Sequence, residues 1–336
     1  MSIRYSFVLP TFNRIDLLKW TIDSLLNQNY NNSDYEIIII DDNSTDNTWD
    51  YINSLIKSLD VSNIIYYRNN DNKWEGFNRD KGIKLSHWDI IIETEDDAWY
   101  ASNYLDAVDK EISKLSNDVW GTLIVLPRRT LNFHEWIIPK LVDYGRKSIE
   151  ELTKKGKRPV IWWRIFKKNI YQKIWWYKSN LRIGTDTDLV KRFRINGYPN
   201  KAIYSTYWKH YEPNTFNKFF RRMYKQWFYY KEYKDEFKPE VSVIWKIFWI
   251  WLLIFPVFCL LSTMFFWYFG LLFMLFWFVL MSFLNQEVRW MYPLILKSKK
   301  YKYLIFFVFL YYLTSVYWIL NWRIARSLVE KKFYLY

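Results

Sequence analysis

Cysteine is nearly absent. Cys259 stands alone in an apolar run, so no disulfide framework exists. Glycine is scarce as well, 8 in 336 residues. No GxGxxG follows the first apolar run, and no GxxxxGK precedes a Ser or Thr. The missing phosphate loops argue against dinucleotide oxidoreductases and P-loop NTPases. HExxH and the Cys/His spacings of zinc sites are missing too. The opening MSIRYSFVLP lacks a secretory h-region, and the first domain is expected to stay in the cytoplasm.

Two things are in excess. The formal charge is +14, which implies an anionic partner. Aromatic residues make up 22% of the chain and crowd toward its C-terminal part. That distribution favours a membrane interface over nucleic acid, because Trp and Tyr settle at the headgroup level.

The first hundred residues alternate between two patterns. SFVLP (6–10), YEIIIIDD (35–42), NIIYYR (63–68) and WDIIIETEDD (88–97) are short continuous apolar runs, as expected of buried parallel strands. Between them, Ile15, Leu18, Ile22, Leu25 and Leu26 share one helical face. Trp49, Ile52, Leu55, Ile56 and Leu59 share another, after a cap at Ser44 or Thr45. The alternation predicts an open α/β sheet, which binds ligands at the carboxyl ends of its strands. Residues 119–127 and 160–166 read as further strands, and 128–158 is rich in Lys and Arg and is expected to include a mobile loop.

From 213 to 240 the pattern changes. Phe216, Phe219, Phe220, Met223, Trp227 and Tyr230 fall on one helical face, with Lys218, Arg221, Arg222 and Lys225 opposite. Such a helix either lies in a membrane interface or packs on the domain with its charges in solvent. Residues 247–284 carry no charge and are about twice as long as one bilayer crossing requires. They read as two helices with a turn near Ser262–Thr263 or Gly270. A third apolar run, 303–320, either crosses again or lies along the interface. Region 241–336 is thus expected to be a multi-pass membrane region with two to three apolar helices, while 1–212 remains cytoplasmic.

The chemistry collects at strand ends. Glu93, Glu95, Asp96 and Asp97 arrive within five positions, where like charges repel unless a cation intervenes. A hard cation such as Mg²⁺ or Mn²⁺ suits a carboxylate set of this kind beside substrate phosphates. A solvated acidic turn is the other reading. Asp41 and Asp42 end a second strand, where carboxylates can accept hydrogen bonds from a base and from ribose hydroxyls.

FVLPTFNR, IIIIDDNSTDNT, NRDKGIKLSHWDIIIETEDDAW and GTDTDLVKRFRINGYPNKAIY, followed by His210, occur in the order and spacing of family 2 glycosyltransferases. Over about residues 4–212 the chain resembles that family, which implies a GT-A fold, a Rossmann-like mixed sheet. Its tail resembles members with C-terminal membrane helices. The resemblance places Thr11 and Asn13 against the nucleoside, Asp41 or Asp42 on the base and Arg79 near the donor. It places Asp96 toward the ribose and Asp97 on the metal, with the family's first acid either replaced by Glu95 or displaced altogether. His210 matches a His near the metal or diphosphate.

Asp186 in GTDTDL matches the catalytic base of GEDxDL, although Thr185 replaces the Glu. A helix N-cap is the other reading of Asp186. The implied function is metal-dependent, inverting transfer of a sugar from a nucleotide-sugar donor to a lipid-linked or glycan acceptor, with membrane lipids as further partners. Two alternatives remain at this stage. One is a processive polysaccharide synthase, of whose QxxRW motif RRMYKQW is a faint echo. The other is a non-catalytic polyanion-binding membrane protein.

Overall fold

The computed structural model describes residues 5–59, 63–115, 122–132, 134–135, 137–156, 164–174, 177, 189, 192–193, 195–198, 200–215 and 217–218. The apolar runs 247–284 and 303–320, and nearly all of the basic amphipathic segment, lie outside these residues. Among the described residues, no helix is long and apolar enough to cross a membrane. Chain contacts divide the protein into residues 1–135 with 149–212, and 136–148 with 213–336. Both sheets belong to the first unit.

Strands β1 (Tyr5–Thr11), β2 (Tyr35–Asp41), β3 (Ile64–Arg68) and β4 (Ile90–Glu93) alternate with helices α1 (Ile15–Leu26), α2 (Thr48–Leu59) and α3 (Trp74–Leu85). These four strands are parallel. β5 (Ala98–Tyr100), α4 (Tyr104–Ile112), β6 (Thr122–Val125), β7 (Arg128–Thr130) and α5 (Ile137–Lys154) follow. Then come β8 (Ile165–Lys167), α6 (Lys168–Lys173), β9 (Asn200–Ile203) and β10 (Trp208–His210). The large sheet runs β3-β2-β1-β4-β8-β6-β9, and only β8 is antiparallel to its neighbours. The small sheet runs β5-β10-β7.

The apolar runs are continuous because both faces of the large sheet are covered. Phe7, Leu9, Ile37, Ile39 and Ile92 face one core with Leu18, Ile22, Leu25 and Ile52. Val8 and Ile91 point the other way, toward Ile83, Phe166, Ile170 and Tyr171. On that face α3 comes close: a Cβ at Gly82 would stand 2.5 Å from Val8 Cγ1. The edge of β5 is closed by α1. Thr21 Oγ1 donates to Ala98 O at 2.7 Å, and Tyr100 N donates to Ser24 Oγ at 3.1 Å.

Several expectations are corrected. The run 88–97 is not one strand: β4 stops at Glu93, and residues 95–97 form a turn into β5. The segment 128–158, expected to include a mobile loop, is mostly taken up by β7 and α5. Asp46, rather than Ser44 or Thr45, accepts from Thr48 N at the start of α2, at 3.1 Å. Ser44 and Thr45 instead bond Asn13 at the end of β1. Trp49, expected on the buried face of α2, is exposed.

Candidate active site

The carboxyl ends of β1, β2 and β3 stand level, with Thr11 paired to Asp41 and Asp41 to Arg68, while β4 ends at Glu93 opposite Val8. Asn13 sits just beyond β1 in the left-handed region, at φ 53. Its Oδ1 accepts from Thr45 N at 2.7 Å, tying the loop after β1 to the loop after β2. Asp41 is fully buried, accepting from Ser44 N at 2.8 Å and Tyr66 OH at 2.7 Å. Asp42 Oδ1 accepts from Asn69 Nδ2 at 2.8 Å and Lys73 N at 2.7 Å. Arg79 is turned inward. It donates to Glu75 and to Thr94 O, and lies 3.9 Å from Glu93. Tyr177 donates to the same Glu93. Burial pushes the Glu93 carboxyl up to about 7, against the pull of Arg79 and Tyr177.

The turn after β4 splays the acids toward different cations, which relieves the crowding the sequence poses. Glu95 pairs with Arg164 through one oxygen, and its other oxygen lies 2.9 Å from His210 Nε2. Asp96 Oδ2 accepts from Thr11 Oγ1 and Oδ1 from Arg14 Nη1, both at 3.0 Å. Asp97 Oδ1 is 3.2 Å from His210 Nε2, and Oδ2 accepts from Arg14 at 3.1 Å. His210 reaches the turn because β10 pairs antiparallel with β5, opposing it to Ala98. Glu212 Oε1 holds its other nitrogen, Nδ1, at 2.7 Å.

Charge states follow from these neighbours. Burial opposes ionisation of Glu95, yet Arg164 and His210 hold it well below the usual carboxylate range. Burial also opposes Asp97, and His210 keeps it low. Asp96 is pushed up to about 6, first by burial and further by Asp97, with Arg14 pulling against both. Burial would strip the His210 proton, but Asp97, Glu95 and Glu212 push its pKa up to about 9.

Glu95, Asp97 and His210 each offer a ligand atom, and these atoms lie within 4.8 Å of one another. The donor set fits a divalent cation: two carboxylates and an imidazole whose far nitrogen is fixed by a carboxylate. Glu95 Oε2 is buried and faces His210 Nε2 at 2.9 Å, on the side of the cluster that Asp97 Oδ1 also faces.

Of the residues singled out in the sequence, Thr11, Asp96, Asp97 and His210 thus meet in one cluster. Asn13, Asp41 and Asp42 flank it at adjacent strand ends, and Arg79 lies behind it. Asp186 falls outside the described residues. Sequence reasoning missed Arg14, Arg164 and Glu212 and gave Glu95 no ligand role. Arg164 did carry a signal, because a lone Arg in an apolar run implies a buried acid. Within 170–180, Ile170, Tyr171, Ile174 and Tyr177 are buried in the second core, while 175–176 and 178–180 lie outside the described residues.

The family model described as "Glycosyl transferase family 2" matches residues 6–180. A GalNAc(5)-diNAcBac-PP-undecaprenol beta-1,3-glucosyltransferase of Campylobacter jejuni is 25% identical over 177 residues, 50% of this chain and 53% of the relative. A poly(ribitol-phosphate) beta-glucosyltransferase of Bacillus spizizenii is 32% identical over 103 residues, 31% of this chain and 16% of the relative. This chain therefore matches about half the length of the first relative named and a sixth of the second. A mannosyltransferase from Pyrobaculum calidifontis, solved in complex with GDP-Man and Mn²⁺, is similar with a TM-score of 0.50. The two are 14% identical over 66% of this chain and 61% of that one, a likeness that shows the fold.

Proposed function

Because the chain belongs to glycosyl transferase family 2, and is thereby a glycosyltransferase, we propose that it moves a sugar from a nucleotide-sugar donor to a lipid-linked or glycan acceptor. Transfer is metal-dependent, inverts the anomeric carbon and takes place at the inner surface of a membrane. The observation that carries this reading is the convergence of Glu95, Asp97 and His210 at the sheet edge where the nucleotide motifs end. Support for the acceptor class comes from the relatives' names, one specifying a PP-undecaprenol glycan and the other poly(ribitol-phosphate).

Each residue then has a task. Asp42, beside Asp41, accepts hydrogen bonds from the donor base, while Thr11 and Asn13 lie against the nucleoside. Asp96 faces the ribose. Glu95, Asp97 and His210 would hold Mg²⁺ or Mn²⁺. When bound, the cation supplies positive charge beside the leaving nucleoside diphosphate. Arg14 keeps Asp97 Oδ2 engaged, which leaves Oδ1 turned toward His210. The acceptor hydroxyl oxygen bonds the anomeric carbon from the face opposite the diphosphate, and Asp186 takes its proton. The sugar–phosphate bond breaks with its electron pair going to the diphosphate. If the acceptor oxygen belongs to a phosphate it is already ionised, and Asp186 positions rather than deprotonates.

Anchoring is read from the sequence. Segment 213–240 lies in the interface and the apolar runs beyond it hold the enzyme in the membrane, with the catalytic part in the cytoplasm. The test is a donor panel with the full chain in detergent, scoring nucleoside diphosphate release with Mn²⁺ or a chelator, and with or without lipid-linked acceptors. No release from any donor would sink the proposal, and release indifferent to chelator would remove the metal from it.

A further inference from the structure

Among the described residues, three non-glycine residues have positive φ: Asn13 at 53, Asn43 at 67 and Trp74 at 71. All three follow neighbouring strands at the same sheet edge, beyond β1, β2 and β3 in turn. Asparagine visits this region readily, but a bulky side chain there is an outlier. Such strain persists only where the surroundings impose it, and it gathers at functional sites. Here the residue before Trp74 is pinned, since Lys73 N donates to Asp42 Oδ1 at 2.7 Å. Asn69 holds the same oxygen at 2.8 Å and also bonds Asn78. Trp74 therefore follows directly on a backbone N–H bonded to Asp42, and it is 40% exposed.

From this placement we propose that Trp74 is a base-stacking wall of the donor site, a role that rests on the proposed use of Asp42 for the base. Asp42 reads the edge of the base, and the indole covers its face. On the β1 side Phe12 is 44% exposed, so the edge is bordered by aromatic residues on both sides of the Asp pair. Stacking is indifferent to base identity, so Trp74 adds affinity and leaves discrimination to Asp42.

The test is calorimetry on the full chain with Mn²⁺, using UDP, GDP and inorganic pyrophosphate as probes. Trp74→Gly suits the positive φ, and Trp74→Phe keeps a ring. The expected result is about tenfold weaker binding of UDP or GDP by Trp74→Gly, about 1.4 kcal/mol. Pyrophosphate binding should be unchanged, and Trp74→Phe should recover most of the loss. Nucleotide binding within about twofold of wild type in Trp74→Gly would overturn the stacking role. An equal loss for pyrophosphate would overturn it too, by making Trp74 a support for the fold. Wild-type protein that binds neither UDP nor GDP would overturn the donor site itself, and the stacking with it.

Discussion

Asp97 divides its two oxygens between His210 and Arg14. An amide in its place carries no charge to offset a cation and ligates it more weakly. Asp97→Asn is therefore expected to abolish transfer and weaken nucleoside diphosphate binding in Mn²⁺. Wild-type binding and turnover would remove Asp97 from the site. For Asp186→Asn with a hydroxyl acceptor, turnover should fall by about 10²–10⁴ while donor binding holds. A pH–rate profile separates the roles, because only a general base gives an acidic limb that the substitution removes. His210 and Asp97 could be picked out from residue type and order. Arg14 and Glu212 could not, because what they do depends on which oxygen they face across the turn.

Helix α3 rests on the sheet through Gly82, whose missing side chain lets Val8 Cγ1 and Ile40 Cγ1 approach. Gly82→Ala places a methyl 2.5 Å from Val8. It is expected to cost about 1–3 kcal/mol, as overpacking of a filled core does. Denaturant unfolding would measure it, and an unchanged midpoint would mean that α3 shifts freely. Elements of this length were legible where the pattern was long enough to have a period. The isoleucine runs of β2 and β4 announced buried strands, and Leu18, Ile22 and Leu25 announced α1. β5, β7 and β10 have three residues each, too few for any alternation to register, yet they deliver His210. α5 was hidden by its charges, since Lys147 with Asp143 and Lys154 with Glu150 pair along it in a stretch that reads as basic loop.

At the scale of the whole chain the excess of positive charge, +14, is concentrated where the membrane reading needs it. Each basic residue near an anionic surface contributes about 1 kcal/mol, so Lys218, Arg221, Arg222 and Lys225 add about 4 kcal/mol at most. Replacing all four by Gln should leave the protein on membranes, raise the apparent KM for a lipid acceptor and leave the donor KM unchanged. An unmoved acceptor KM would mean that this segment does not present the acceptor. The join between β5 and β10 has one more consequence. Glu95 and Asp97 are translated long before His210, and they meet it only when β10 zips onto β5. The parallel strands β1 to β4 can form on the ribosome while their acids still wait for a histidine not yet synthesised. A cation that clasps the cluster would then close a long loop of chain and favour the finished fold over every shorter one. Metal-dependent resistance to proteolysis should accordingly first appear in nascent chains that include residue 210, and its appearance in shorter ones would show that the clasp lies elsewhere.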